Sequence, residues 1–194
     1  MIPIQLTLKN FLSYREAALD FRGLHTACIC GPNGAGKSSL LEAIAWSLWG
    51  CCRSDTEDDI IHIGEIDVRV DFTFSTGGQI YRVIRNRRRG QSGSLEFQVS
   101  LNSATTQDGL SFRTLTDKGL RNTQQKILEH IKLDYDTFIN SAYLRQGRAD
   151  AFMLKTPIER KKVLANLLKL ARYDTCAEQA QAKPKEFKAK DALR

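Results

Sequence analysis

The chain has 194 residues, of which 42% are hydrophobic, so it can bury one substantial core but leaves little room for two domains. Its 29 Lys and Arg residues against 22 Asp and Glu give a charge of +7, which favours a phosphate-bearing partner without choosing between nucleotide and nucleic acid. Because no run of 18 apolar residues and no secretory leader pattern occurs, the sequence predicts a cytoplasmic protein without a membrane span.

The five cysteines do not form a recognisable site. Their number is odd, and none of them has the C-x-x-C spacing of a zinc site or redox pair. Cys28 and Cys30 lie in an apolar stretch, residues 26–30, so we expect reduced thiols packed in the core there. The remaining cysteines are Cys51, Cys52 and Cys176.

The first fifty residues predict two strands, then a strand, a glycine loop and a helix. Apolar and polar residues alternate around Leu6, and a second short strand is predicted over Ala17–Phe21. His25–Cys30 is a compact apolar run ending at a glycine, which indicates a buried strand. Ser38–Trp49 has helical spacing and is followed by Gly50, a residue suited to a left-handed helix end.

The middle of the chain predicts an antiparallel sheet. Alternation over residues 68–74 and 79–85 flanks the turn Ser75–Gly78, and a further strand is predicted over Leu95–Leu101. Ser103–Asp117 is polar and lacks a clear period, so it is predicted to be a loop or a poorly ordered insertion. Helical patterns follow, first over residues 120–131 and then from Pro157 onward, where the apolar stripe comprises Leu164, Leu167, Leu168 and Ala171.

The most informative motif lies between the predicted third strand and first helix. Gly31-Pro-Asn-Gly-Ala-Gly36-Lys37-Ser38 matches the phosphate-loop pattern G-x-x-x-x-G-K-[ST] at every fixed position. Glycines let backbone N–H groups surround phosphates, and the following helix adds its positive N-terminal dipole. We therefore predict that Lys37 contacts the β- and γ-phosphates of ATP and that Ser38 ligates Mg²⁺. The rest of the predicted cradle comprises Asn33, Gly34, Ala35, Gly36 and Ser39.

The catalytic acids of such a hydrolase are not evident. No four apolar residues precede an Asp-Glu pair, and Asp58 and Asp59 stand in a polar stretch. We expect the acids to come from another chain or segment, so that this chain alone binds ATP but hydrolyses it negligibly.

Two sets of motifs resemble the SMC-like ATPases, and within them the SbcC family, the bacterial relatives of the Rad-fifty break-repair ATPases. The first is Thr7-Leu-Lys-Asn-Phe-Leu-Ser-Tyr14 together with the phosphate loop and its helix. The second is Tyr143-Leu-Arg-Gln-Gly-Arg-Ala-Asp150 followed by Pro157-Ile-Glu-Arg-Lys-Lys-Val-Leu164. The resemblance runs from residue 1 to about residue 182.

This resemblance implies an α/β fold, the N-terminal lobe of an ABC-type ATPase head with a phosphate-loop strand, loop and helix plus an antiparallel sheet. It places the lobe at residues 1–156 and the start of a coiled-coil stalk at residues 157–194. Gln146 matches the Q-loop glutamine that contacts Mg²⁺ and the attacking water. The adenine and ribose are expected near Ile61, His62 and Ile63, and Leu12 stands where many relatives have an arginine that reaches phosphate.

The family also implies partners. The signature segment, the Walker B carboxylates and the switch histidine belong to the C-terminal half of the same head, and two heads enclose two ATP molecules as an ATP-dependent homodimer. The engaged heads bind double-stranded DNA and control an SbcD-type nuclease, in a cytoplasmic, nucleoid-associated complex.

The run Ile80–Gly90 is strongly basic and leaves two interpretations open. It contains five arginines and no acid, so Arg87, Arg88 and Arg89 either contact DNA phosphates or form a solvated edge that resists aggregation.

Two other classes of ATPase share some of these motifs. A chromosome-organising SMC or RecF-like ATPase shares the early motifs, whereas in a transporter ATPase the glutamine follows the lysine much more closely than Gln146 follows Lys37.

Overall fold

A computed structural model gives the fold. It describes residues 1–52, 56–101, 110–141, 143, 151–167, 170, 173 and 180. The chain divides into two compact units, Met1–Lys132 and Leu133–Arg194. The boundary predicted at 156/157 stays a prediction.

The first unit is built on a six-stranded antiparallel sheet with the strand order β2-β1-β3-β4-β5-β6. The strands are β1 (Ile2–Phe11), β2 (Tyr14–Asp20), β3 (Asp67–Thr76), β4 (Gln79–Arg88), β5 (Ser94–Ser100) and β6 (Phe112–Thr114). The strands predicted near residues 4–8, 17–21, 68–74, 79–85 and 95–101 are confirmed.

Alternation of side chains sets which face of the sheet is buried. Leu6 on β1 lies opposite Phe72 on β3, which lies opposite Val83 on β4, and all three side chains are fully buried. On the same face, the rings of Phe74 and Tyr81 stack with their centroids 5.9 Å apart. Each such buried apolar side chain stabilises the fold by about 1.5–3 kcal/mol, so this face is the core of the unit.

Two helices, α1 (Lys37–Trp49) and α2 (Leu120–Ile131), cover this core face. The ring centroid of Trp46 in α1 lies 5.7 Å from that of Phe11. His130 in α2 forms T-shaped contacts with the rings of Tyr81 and Phe97. In the described part of the first unit, no helix covers the opposite face. The α1 prediction, with Gly50 in the left-handed conformation after it, is confirmed, as is the helix over residues 120–131.

Three local predictions are wrong. His25–Cys30 forms no strand, and Cys28 and Cys30 are exposed instead of packed in the core. A strand forms only where neighbours satisfy its backbone groups, and none of the six strands pairs with this segment. The segment predicted as a loop over Ser103–Asp117 contains the short strand β6, held by pairing with β5; residues 102–109 of it lie outside the described residues.

The second unit contributes three described helices, α3 (Tyr135–Ser141), α4 (Ala151–Leu154) and α5 (Pro157–Leu167). Thr156 and Glu159 form a reciprocal capping box at the start of α5, with Thr156 N donating to Glu159 Oε2 at 2.8 Å. Leu164 of the predicted stripe is 48% exposed. Leu168, Ala171, Gln146 and Cys176 lie outside the described residues. None of the described helices is long and apolar enough to cross a membrane.

Candidate nucleotide-binding site

The phosphate loop ends at the first turn of α1, which is left open to an anion. Gly36 caps the helix in the left-handed conformation, with φ 86°, and no side chain caps the free N–H groups. The first turn also contains no acidic residue. Since the first amides of a helix have no partner within it, Lys37 and Ser38 present backbone donors beside the positive end of the helix dipole.

The Lys37 side chain curls over the loop. Its ammonium donates to the carbonyl oxygens of Gly31 at 2.7 Å and Pro32 at 2.8 Å. Ala35 N donates to Pro32 O at 3.3 Å, which closes the turn. The loop is therefore folded around the Lys37 ammonium.

The two serines of the motif differ in accessibility. Ser38 is half-buried at the loop. Ser39 is 2% exposed, and its amide is occupied by Gly36 O at 2.9 Å. Of the predicted cradle residues, Ser38 is thus the accessible serine and Ser39 is packed behind it.

The turn between β1 and β2 packs against the phosphate loop as a wall. The sequence did not indicate this contact. A Cβ atom added at Gly36 would meet Ser13 Cβ at 2.9 Å and Tyr14 Cε2 at 3.0 Å. Real side chains do not approach so closely, and the left-handed backbone at Gly36 also disfavours a side chain. Glycine is therefore required both by the conformation and by the wall.

Hydrogen bonds with Ile60 and His62 hold this turn in an uncommon backbone conformation. Asn10 and Leu12 have φ values of 53° and 48°, a region that side chains rarely adopt. Leu12 N donates to Ile60 O at 2.8 Å, and His62 N donates to Asn10 O at 2.9 Å. His62 Nδ1 lies 2.7 Å from Leu12 O, and since a carbonyl only accepts, this nitrogen carries the proton.

Because of these contacts, the three residues predicted near the adenine have different environments. Ile61 is buried in the core and bridges to Phe11, and His62 fixes the turn at Leu12. Ile63 is 90% exposed and is the one of the three whose side chain is open to a ligand.

The far end of α1 is anchored by a buried arginine. Arg85 Nε donates to Ser47 O at 3.1 Å, its Nη2 bonds the side-chain oxygen of Gln124, and its guanidinium lies 5.8 Å from the Trp46 ring. Gln124 Nε2 in turn donates to Leu48 O at 2.7 Å. Burial lowers the pKa of Arg85 to about 10, so its charge is held by carbonyl dipoles at the negative end of the helix.

The remaining arginines of the basic run have different environments. Arg87 pairs with Asp58 at 2.8 Å and with Glu57, and Arg82 pairs with Asp71 at 2.5 Å. The hydrogen bond from Arg87 lowers the pKa of Asp58. Arg88 and Arg89 are exposed. The predicted trio is therefore not one surface, because the Arg87 guanidinium is already occupied by two carboxylates.

The described residues fit ATP with Mg²⁺ in part. The amides and ammonium match a polyphosphate, and the Ser38 hydroxyl supplies one oxygen ligand of the kind that Mg²⁺ takes. No cluster of three or more His, Cys, Asp or Glu that could hold a metal occurs in the part of the chain that the structure describes. The geometry is thus that of a loop suited to bind an anion, with one hydroxyl that is a suitable ligand for a cation.

Comparison with known proteins agrees with this geometry. A family model described as an AAA domain matches residues 5–193. The chain therefore belongs to this family of nucleotide-binding ATPase domains. Within it, the chain is similar to SbcC and Rad50 ATPases. Its antiparallel sheet and helices are those expected of an ABC-type ATPase head N-lobe.

Two relatives illustrate the match. The chain is 34% identical over 192 residues to the SbcC component of the nuclease SbcCD from Deinococcus radiodurans, covering 97% of this chain and 21% of that protein. It is 32% identical over 177 residues to a DNA double-strand break repair Rad50 ATPase from Thermoplasma volcanium, covering 90% and 18%. The chain thus spans about a fifth of the length of these relatives.

A solved SMC head domain from Thermotoga maritima is also similar, at 19% identity and a TM-score of 0.41, covering 79% of this chain and 56% of that chain.

Proposed function

We propose that this chain is the ATP-binding half of an SbcC-type ATPase head, which uses ATP and Mg²⁺ to drive head dimerisation, double-stranded DNA binding and control of an SbcD-type nuclease. The observation that carries the proposal is the phosphate cradle at the start of α1, where Gly36 lies against Ser13 and the Lys37 ammonium lies over the loop. The names of the relatives give the biological setting.

The proposal assigns the other half of the site to the C-terminal half of the same head. Residues 25–30 lead directly into the phosphate loop, yet they are exposed and carry apolar side chains such as Ile29, which is 42% exposed. Apolar exposure at this position favours a covering segment. In the proposed head, that segment pairs with residues 25–30 and brings the catalytic carboxylates and signature sequence.

Each residue of the cradle has a distinct part in this mechanism. The first-turn amides and Lys37 hold the β- and γ-phosphates, and Ser38 binds Mg²⁺, which would neutralise phosphate charge. Gln146 orients the attacking water and transmits γ-phosphate occupancy to the segment that contains Pro157–Ala182. Because its neutral amide contributes less to ground-state binding than an ammonium, its removal affects turnover more than affinity.

The proposal is tested by co-expressing this chain with a C-terminal head segment. Sedimentation with and without ATP measures dimerisation, and phosphate release with and without duplex DNA measures hydrolysis. We expect ATP-dependent dimers and DNA-stimulated turnover, with Lys37→Ala defective in nucleotide binding. Gln146→Ala should bind ATP normally but lose dimerisation and turnover together. A head that dimerises and hydrolyses normally with Gln146→Ala would remove the Q-loop assignment, and turnover by this chain alone would show that the missing acids are in it.

A further inference from the structure

Two exposed thiols lie immediately before the phosphate loop. The sulfur atoms of Cys28 and Cys30 are 3.3 Å apart, and both residues are exposed. An S–S bond is about 2.0 Å long, so an approach of about 1.3 Å would join the two sulfurs. Cys30 directly precedes Gly31, whose carbonyl oxygen accepts a hydrogen bond from the Lys37 ammonium at 2.7 Å. The thiol pair therefore adjoins the nucleotide cradle.

The surroundings of the pair favour a disulfide over a metal site. A structural zinc ion takes four protein ligands, but no third His, Cys, Asp or Glu joins the two sulfurs among the residues that the structure covers. The neighbouring Cys51 and Cys52 are half-buried, and Cys51 Sγ donates to Trp49 O at 3.6 Å. Cys28 and Cys30 are thus the described thiols that are both exposed and close together.

The backbone conformation of residues 25–30 decides whether this disulfide can form. In an extended strand, residues two apart lie on the same face with their Cβ atoms roughly 6.6 Å apart. A disulfide requires a Cβ–Cβ distance of about 3.5–4.5 Å. The segment pairs with none of the six strands in this chain, so the disulfide is free to form here. Strand and disulfide therefore exclude each other.

We infer that Cys28 and Cys30 form a reversible disulfide, which prevents the C-terminal head segment from pairing with residues 25–30. This inference rests on the proposed function, in which that pairing completes the head. Because each state excludes the other, pairing with the C-terminal segment also protects the two thiols from oxidation.

The oxidant is a low-molecular-weight disulfide, RSSR. One cysteine thiolate attacks it, which forms a mixed disulfide and releases one thiolate of RSSR. The second cysteine then attacks the protein sulfur of the mixed disulfide, closes the Cys28–Cys30 bond and releases the other thiolate. Two cysteine thiols are oxidised, RSSR is reduced to two RSH, and the two cysteine protons pass to the released thiolates. The second step is fast because the attacking thiol is already beside its target.

The first measurement is the redox state of the 194-residue chain after incubation with glutathione disulfide. Trypsin releases residues 23–37, which contain Cys28 and Cys30, separately from residues 38–53, which contain Cys51 and Cys52. We expect the first peptide to lose two hydrogens and to regain them in excess reduced glutathione. A chain with Cys51→Ser and Cys52→Ser is the matched control and should form the same disulfide. A first peptide that keeps free thiols, or carries only glutathione adducts, would overturn the inference.

The second measurement is the binding of a purified C-terminal head segment to the reduced and the oxidised chain. We expect the reduced chain to bind and the oxidised chain to lose binding. A chain with Cys28→Ser and Cys30→Ser should show the same binding before and after treatment with glutathione disulfide. In the co-expressed head, the two thiols should resist oxidation.

The outcomes separate this inference from the proposed function. Equal binding of the C-terminal segment by the reduced and the oxidised chain would overturn the inference and leave the proposed function standing. A reduced chain that does not bind the segment would contradict the proposed function itself.

Discussion

Gly36 and Ser13 lie so close together that a Cβ atom on Gly36 would stand 2.9 Å from the Cβ of Ser13. The turn between β1 and β2 therefore limits the shape of the phosphate loop, although the two are distant in sequence. The loop and its wall act as one structure, and a change in either should alter nucleotide binding.

The first prediction compares Gly36→Ala with Gly34→Ala. Both glycines have positive φ, 86° and 83°, so each alanine costs about 1–2 kcal/mol of backbone strain. Gly36→Ala also collides with Ser13, whereas nothing lies within 4 Å of a Cβ at Gly34. We expect Gly36→Ala to lower the melting temperature further than Gly34→Ala, as measured by thermal unfolding. Equal losses would mean that the wall exerts no constraint.

The second prediction concerns the anchor at the far end of α1. Hydrogen bonds from a charged group are worth about 1.5–3 kcal/mol, so Arg85→Met should lower the free energy of unfolding by an amount in that range. Gln124→Leu should also destabilise the chain because it frees Leu48 O. Since Arg85 and Gln124 bond each other, the double variant should be less destabilised than the sum of the single variants. Additive losses in urea unfolding would show that the two side chains act independently.

The third prediction is a pH dependence at the Asp58–Arg87 pair. Arg87 lowers the pKa of Asp58 in the folded state, so the pair stabilises the fold above the unfolded pKa, and this contribution disappears as the pH falls through the folded pKa. The melting temperature of Asp58→Asn should therefore lie below that of the original chain at pH 7, and the gap should close as the pH falls through the folded pKa of Asp58. Glu65→Gln, which removes a carboxylate elsewhere on the same loop, is the control. A gap that persists at low pH would mean that Asp58 acts through something other than its charge.

The fourth prediction concerns the exposed thiols before the phosphate loop. Cys28 and Cys30 are exposed, with their sulfur atoms 3.3 Å apart, whereas Cys51 and Cys52 are half-buried. Alkylation followed by mass spectrometry should label the first pair faster in this chain. If a C-terminal head segment covers residues 25–30 as proposed, co-expression should protect Cys28 and Cys30. Unchanged labelling in the co-expressed head would contradict that part of the proposal.

The sheet could be predicted from the sequence because period-two alternation is a local signal, and the same is true of α1, which has helical spacing and a terminal glycine. The failure at His25–Cys30 has a different origin. Its composition suits a strand, but forming one depends on backbone partners that local sequence does not reveal. The three-residue strand β6 was not predicted, because it forms through pairing with β5 and not from a strand pattern of its own.

The basic run shows which part of the site the sequence could have revealed. Arg85 and Arg87 share strand parity with the buried Val83, so alternation directs them toward the helix-covered face. Arg88 has the opposite parity, which places it on the helix-free face with Arg69. The position of each arginine in the alternating pattern of β4 therefore indicates which face of the sheet it lies on. The partners Asp58 and Gln124 were not predictable, because they come from a loop and a helix far along the chain.

The most direct test of the central claim is calorimetric titration of the chain with ATP and Mg²⁺. We predict saturable binding that Lys37→Ala weakens about 10- to 150-fold, since the charge-assisted contacts it removes are worth about 1.5–3 kcal/mol. Lys118→Ala, at an exposed lysine away from the loop, should bind ATP as the original chain does. Absence of binding, or binding that is unchanged by Lys37→Ala, would contradict the assignment of this loop as the ATP site.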